Sequence, residues 1–396
     1  MSNNDTPFLD LNGSEYLNNQ YPLIEEFRKK SWYAKTESGY VFFNQKEAAH
    51  FLRDSAYRFS YYYIDAEASP YLADRVQGML LAKNGADHAR LRILVMRALR
   101  DRIIDALNDS IRQIVDDLIA ALPRSGTVDL AEAFTNRIPE RVLGPMLGIE
   151  YDRVKEIDEW IRVSSHSIDA VNAKSEIHAI EDAWRKLEQF LANLLDERRN
   201  NLGNDIFSEL IAAENEGDRL SSEELTGITM ELARAGVETT RNQLTLIIYQ
   251  LLTHPEQWEL LQADPSLAVN AVEEGMRYSP LPHVIPQQAI RDNEYNGLSI
   301  KEGEIAMVLI PAANRDPLIM DNAHEFNITR EQKMHYSFGF GPHVCPAAHL
   351  ARMEMRTGLE ALAKHIKRWQ LVEQPNRSSL SSGGVPQQLM VELELN

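Results

Sequence analysis

Ser337-Phe338-Gly339-Phe340-Gly341-Pro342-His343-Val344-Cys345-Pro346-Ala347-Ala348-His349 carries the only cysteine of a 396-residue chain, in a glycine-rich loop that leads into an amphipathic helix. Two glycines separated by one residue let the backbone reverse tightly and bring N–H groups close to whatever lies above the sulfur. Pro346 suits the opening turn of the helix, where proline's missing donor costs nothing. A helix N-terminus favours a thiolate through its dipole and free N–H groups, which lowers the thiol pKa and tunes a bound metal. Cys345 is therefore a candidate metal ligand. The plain alternative, a small buried hydrophobe, is what a lone cysteine usually is, so the surrounding residues must decide.

Working outward, composition narrows the class. With 44% hydrophobic residues the chain can bury a substantial core. Its length alone suggests two or three domains, but no boundary supports a split, and we read residues 1–396 as a single domain. One cysteine excludes an intramolecular disulfide framework and fits a reducing compartment. The start, Met1-Ser2-Asn3-Asn4-Asp5-Thr6-Pro7, has neither a basic segment nor an apolar run, and no stretch approaches the roughly 20 apolar residues of a membrane span. A cytoplasmic location is expected. The formal net charge of −18 repels phosphate backbones and anionic lipid, which argues against nucleic acid and membrane surfaces as partners.

Phe338, Gly339, Gly341, His343 and Cys345 resemble the haem-binding signature of the cytochrome P450 family: aromatic, Gly, any, Gly, any, basic or His, any, Cys. The resemblance implies that Cys345 is the axial thiolate of a haem b iron, with Phe338 and His343 against the cofactor. One departure is Ala347, where the family usually has Gly.

Other stretches extend the resemblance. In Asp87-His88-Ala89-Arg90-Leu91-Arg92, His88 and Arg92 share a helix face and together suit an anion; the family's equivalent helix gives a His and an Arg to a haem propionate. In Ala233-Arg234-Ala235-Gly236-Val237-Glu238-Thr239-Thr240-Arg241-Asn242, a mid-helix glycine and paired threonines are poor helix formers that need a reason. Ala235, Gly236, Thr239 and Gln243 fall on one face, with room for a flat macrocycle. This resembles the family's oxygen-activation motif, which implies that Glu238 and Thr239 are catalytic and relay protons to dioxygen. From the residues alone, Glu238 pairs with Arg234 or Arg241 on its own helix. Glu274 and Arg277 resemble the family's Glu-any-any-Arg pair, with Arg330 as a third member, and imply a structural network beneath the cofactor. Gln287 stands where the family commonly has a propionate-binding Arg.

Periodicity predicts helices over 14–30, 45–54, 103–122, 130–147, 152–163, 173–199, 222–253 and 347–367, a hairpin over 32–43, short strands over 285–309, and closing strands near 370–372 and 389–395. Turns are expected at 123–126, a polar break at 164–172, and an irregular aromatic stretch at 60–82 that either buries a loop or lines a cavity. The expected fold is mainly α with a small β-rich region. The expected activity is insertion of one oxygen atom from O2 into a C–H bond of a small to medium organic substrate, by hydroxylation or O-demethylation. Electrons would come from a separate ferredoxin- or flavodoxin-type donor, with Arg97, Arg100, Arg352 and Arg356 as its docking face. Two alternatives stay open: a peroxide-driven peroxygenase on the same scaffold, and a non-catalytic haem-thiolate sensor. The substrate pocket is expected from 61–82, 164–172, the Gly236 face, 281–285 and the loop near Ser382, which name no substrate.

Overall fold

The structure, a computed structural model, describes residues 6–99, 101–168, 170–215, 220–331, 334–377 and 383–396, without the side chains of 101–103, 168, 170–172 and 215. In chain order its elements are α1 (Ser14–Lys30), β1 (Tyr33–Thr36), β2 (Gly39–Phe42), α2 (Gln45–Phe51), β3 (Tyr57–Phe59), α3 (Pro70–Gly78), α4 (Gly85–Ala98), α5 (Asp101–Ala121), β4 (Ser125–Asp129), α6 (Arg137–Leu147), α7 (Tyr151–Ser165) and α8 (Ala170–Ser175). The second half adds α9 (Ile177–Arg199), α10 (Ile206–Asn215), α11 (Ser222–Thr253), α12 (Pro255–Ala263), α13 (Ala268–Tyr278), β5 (Val284–Ala289), β6 (Asn293–Tyr295), β7 (Leu298–Ile300), β8 (Ile305–Leu309), α14 (Ile310–Ala313), α15 (Ala348–His365), β9 (Ile366–Leu371) and β10 (Met390–Leu395). The mainly α class with a small β-rich region is as expected.

α11 is the axis of the helical part, and its start is written locally. Ser221 Oγ accepts from Glu224 N at 3.1 Å while Glu224 Oε2 accepts from Ser221 N at 2.9 Å, a reciprocal capping box. Along its length Leu225, Ala233, Leu244, Ile247 and Leu251 are buried in the main apolar cluster. Two helices approach it through glycines. A Cβ on Gly275 of α13 would lie 2.5 Å from Ile247 Cγ1, and one on Gly358 of α15 would lie 3.1 Å from Ile138 Cδ1 and 3.5 Å from Leu244 Cδ2. These contacts set how near the loop before α15 comes to α11. A smaller apolar cluster surrounds a five-stranded sheet of order β1-β2-β8-β5-β3, in which β2 and β8 run parallel.

The differences from the sequence expectations have physical causes. The 60–82 stretch contains α3, whose first turn is set by Pro70 and by Ser69 Oγ accepting from Leu72 N at 3.1 Å. Residues 123–126 are not only a turn: β4 begins at Ser125 and pairs with β10, a partner some 260 residues away that no local pattern reveals. A single turn of π-helix, Ala131–Thr135, precedes α6, so 130–147 is not one α-helix. α7 runs to Ser165 and helix resumes at Ala170, which shortens the expected break at 164–172, and 173–199 divides at Glu176. α15 stops at His365, because Ile366 and Trp369 turn inward and the chain enters β9 directly, against β10. Asn44 sits before α2 without capping it; Asp316 Oδ2 accepts from Gln45 N at 2.9 Å instead, while Asn44 Oδ1 accepts from Arg28 Nε.

Candidate cofactor and substrate site

The loop that carries Cys345 is fixed on both flanks by α13. Arg277, fully buried, donates from Nε and Nη2 to Glu274 at 2.7 and 2.8 Å, from Nη1 to Ala323 O at 2.8 Å, and from Nη2 to Glu325 O at 2.9 Å. Glu274 Oε1 also accepts from Asn327 N at 2.9 Å and from Arg330 Nε at 3.3 Å. Glu274, Arg277 and Arg330 thus form one network, in which a guanidinium fork satisfies a carboxylate and nearby carbonyls at once. The neighbouring Glu273, which sequence reading missed, accepts from Arg352 Nε and Nη2 at 2.6 and 2.9 Å and lies 3.1 Å from His335 Nε2. Burial alone would raise the Glu273 pKa, but His335 and Arg352 hold it down to about 2. The Arg352 guanidinium also lies 4.4 Å above the Phe338 ring. Asn314 secures the start of the loop, accepting from Tyr336 N and donating to Ser337 Oγ, at 2.8 and 3.0 Å.

Within the loop, Gly339 and Gly341 have φ of +73° and +74°, the left-handed region that favours glycine. A Cβ on Gly341 would also come 2.7 Å from Leu52 O, so this glycine is required twice over. Cys345 N donates to Phe338 O at 2.8 Å, closing the loop beneath a half-buried sulfur. Burial is the largest influence on the thiol and raises its pKa, against the Ala347 N–H, Arg92 and Arg352, which lower it. The lowered thiol pKa expected from the helix start is thus overturned: desolvation outweighs the dipole for the unligated thiol. α15 itself begins at Ala348, and Ala347, at φ −97°, takes a conformation that needs no glycine.

His88, Arg92 and His343 are brought together beside this loop. The His88 and His343 rings are 4.1 Å apart, His343 Nε2 lies 3.1 Å from Asn84 Oδ1, and Arg92 Nη2 donates to Val344 O at 2.6 Å. Burial, followed by the neighbouring His88 and Arg92 charges, lowers the His343 pKa to about 4; burial and Arg92 lower that of His88. These groups repel one another's charge, an arrangement that an anion would relieve. Gln287, in β5, is buried.

On α11, Ala235 is exposed although Ala233, Arg234 and Val237 around it are buried, so one face of the helix borders open space. Gly236, next to it, is half-buried, and a Cβ there would make ordinary contact with Met146 Cε at 3.8 Å. The Thr239 hydroxyl donates to Ala235 O at 2.7 Å, leaving its lone pairs available to a donor. Gln243, expected on the same face, is instead buried and ties α11 to the chain after α13, donating to Ser279 O and accepting from Leu281 N. Glu238 makes no hydrogen bond to Thr239. It accepts from Asn242 Nδ2 at 2.9 Å and its Oε2 lies 3.6 Å from Arg241 Nε, while Arg241 reaches Asp158 at 2.8 Å. Of its two expected helix partners the structure gives Arg241 and not Arg234, which turns toward α7. Asp169 and 378–382, which fall in the expected pocket walls, and Arg100 of the expected docking face lie outside the described residues.

Among the described residues no three His, Cys, Asp or Glu side chains cluster as a metal site. A lone thiol with one N–H donor, flanked by donors for anions, fits a metal held mainly by a macrocycle with acidic arms. Those residues therefore fit a haem.

Residues 30–385 match the family model described as cytochrome P450. The polyketide biosynthesis cytochrome P450 PksS of Bacillus subtilis (strain 168) is 34% identical over 304 residues, covering 76% of this chain and 74% of the relative. The vitamin D(3) 25-hydroxylase of Pseudonocardia autotrophica is 37% identical over 288 residues, covering 72% and 69%. Among solved structures, P450BioI in complex with hexadec-9Z-enoic acid ligated acyl carrier protein superposes with a TM-score of 0.89 at 27% identity, over 96% of this chain and 100% of that one.

Proposed function

The chain belongs to the cytochrome P450 family, and from that membership we propose that residues 1–396 work as one domain, a haem b monooxygenase that places one oxygen atom of O2 into a C–H bond of an organic substrate. It is an oxidoreductase, as its relatives named as hydroxylases and monooxygenases are. The observation that carries the finer reading is the half-buried Cys345 thiol just before α15, beside His88, Arg92 and His343.

The haem, when bound, supplies the oxygen-activating chemistry. The chain's own residues hold it and manage protons. Cys345 provides the metal ligand, and Arg92, His88 and His343 provide donors for propionates, with the Gln287 carboxamide as an uncharged fourth where the family commonly uses Arg. Phe338, with the Arg352 guanidinium over its ring, would pack against the haem, and the small side of α11 at Ala235 and Gly236 would leave room for it. Thr239 Oγ1, its proton committed to Ala235 O, accepts a hydrogen bond on the oxygen-binding side. Glu238, half-buried between Thr239 and the Arg241–Asp158 pair, carries protons inward from the α7 edge.

A separate ferredoxin- or flavodoxin-type protein supplies the electrons, approaching the Cys345 side. Arg97 is exposed, Arg352 is shared with Glu273 and Arg356 lies 3.6 Å from Glu360, partners that temper the pull of the last two. The lone cysteine suits the reducing cytoplasm, and among the described residues no helix is long and apolar enough to cross a membrane. The test of the reading is spectroscopic. The reduced, carbonyl-bound protein is expected to show the red-shifted Soret band of a thiolate-ligated haem, and Cys345→Ser to lose it; an unchanged spectrum in that variant refutes the ligand assignment.

A further inference from the structure

One turn before Ala235, α11 carries two charges that the oxygen-side chemistry does not use. Glu231 faces the Leu80–Ala82 turn and accepts from Leu80 N at 2.7 Å and Leu81 N at 3.1 Å. Arg234 is 5% exposed and lies 3.9 Å over the Trp184 ring. Its Nε and Nη2 donate to Ser164 Oγ at 3.1 Å, Ser164 O at 2.7 Å and Ser167 Oγ at 2.5 Å. Among the described residues no carboxylate comes within ion-pair distance of it, although a buried guanidinium without an anion is costly. Glu231 acts on it only through the longer-range field.

The remaining nitrogen, Nη1, meets only Met79 Sδ, at 3.9 Å. The Tyr61 hydroxyl, also buried, donates to the same sulfur at 3.6 Å and to nothing else among the described residues. Two strong donors therefore converge on one thioether, a weak acceptor on a flexible side chain. A carboxylate in place of that sulfur would satisfy both donors and neutralise the guanidinium, and Met79 has the rotatable bonds to move aside.

We propose that Arg234 and Tyr61 bind the carboxylate of an organic acid substrate, with Met79 as the gate that yields to it. This deepens the monooxygenase reading and rests on it for the reaction, though not for the binding. The guanidinium selects the charge, the phenol adds direction, and Glu231 fixes the backbone from which Met79 projects.

The test uses the haem-loaded protein and matched probes: straight-chain carboxylic acids from octanoic to hexadecanoic and their methyl esters, with dissociation constants from equilibrium dialysis and, separately, the haem spin-state shift. The acids are expected to bind at least about tenfold more tightly than their esters. Arg234→Gln should weaken acid binding roughly 10- to 100-fold, the range for a lost hydrogen bond to a charged group, and leave ester binding within about twofold. Tyr61→Phe should weaken the acids roughly 3- to 10-fold by losing a single bond. Arg234→Lys, which keeps the charge if Arg234→Gln folds poorly, should retain the preference for acids. Equal binding of acids and esters, no binding of any acid, or variants that weaken both classes alike overturn the proposal. Failure of the haem-thiolate reading shows separately, in the carbonyl spectrum.

Discussion

Gly341 illustrates how much a single missing side chain can decide. Its left-handed backbone and its distance from Leu52 O leave no place for a methyl group, so Gly341→Ala must displace either the Cys345 loop or the end of α2. We expect a loss of about 1–3 kcal/mol in stability together with weaker haem retention, measured by thermal unfolding and by haem transfer to an acceptor protein. Thr239 tests the other side of the cavity. If its oxygen accepts the hydrogen bond proposed, Thr239→Ala should lower product formed per reductant consumed, and Thr239→Ser should restore much of it. At this scale the sequence was informative where chemistry is rare. A lone cysteine just after two closely spaced glycines and a mid-helix Ala-Gly pair stand out, whereas Glu273, one glutamate among many, acquires its meaning only from Arg352 and His335 brought to it by folding. Arg234 is a similar case: helical spacing offered Glu238 as its partner, and Ser164 at the end of α7 took it.

Among the elements, α13 joins the long helix to the thiol loop. Glu274→Gln would leave the buried Arg277 without its counter-charge, and removal of one member of a buried pair costs about 3–5 kcal/mol, which we expect to see as apoprotein instability and poor haem incorporation. Gly275→Ala would push a methyl to 2.5 Å from Ile247 Cγ1. Overpacking of this kind costs about 1–3 kcal/mol, and Ile247→Ala should relieve part of it, so the double variant should be less damaged than the two single effects added. Long, well-capped helices such as α11 were legible because their signals are local. β4 and the end of α15 were not, because both are settled by pairing with β10, which lies at the far end of the chain.

For the whole molecule, His283, Glu231 and Glu273 make opposing contributions to the response to acid. His283, bonded to Tyr16 at 3.1 Å, has its pKa lowered to about 3 by burial and then by Arg377 and Arg315. The folded state thus binds fewer protons than the unfolded chain below pH 6.5, and stability falls as pH drops from 6.5 toward 3. Glu231 works in the opposite sense. Burial raises it to about 7, so the folded state holds an extra proton between pH 4.5 and 7 and gains stability as pH falls through that window. Glu273, held at about 2, contributes stability that is present above pH 4.5 and lost as pH falls toward 2. Together these three contribute almost nothing to the slope between pH 6.5 and 4.5 and a steep decline below it, on the order of 1–3 kcal/mol per pH unit where two of them act together. Glu231→Gln should expose the His283 slope above pH 4.5, as measured by urea unfolding across pH. The overall class was readable from composition and motif order; this balance was not, because it depends on which ionisable side chains the packing shuts away from water.

The adjacent carboxylates of α13 have a kinetic consequence. Because Glu274 grips Asn327 N and Glu273 grips Arg352 beyond the thiol, while Ser337 Oγ donates to Met276 O of the same helix, a single lifting of that helix would release all three together. The Tyr336 amide is tied to the same helix through Asn314, which accepts it and whose carbonyl accepts from Arg277 at 3.3 Å, so in deuterated solvent the Asn327 and Tyr336 amides should exchange in step, at one shared rate that Glu274→Gln accelerates for both.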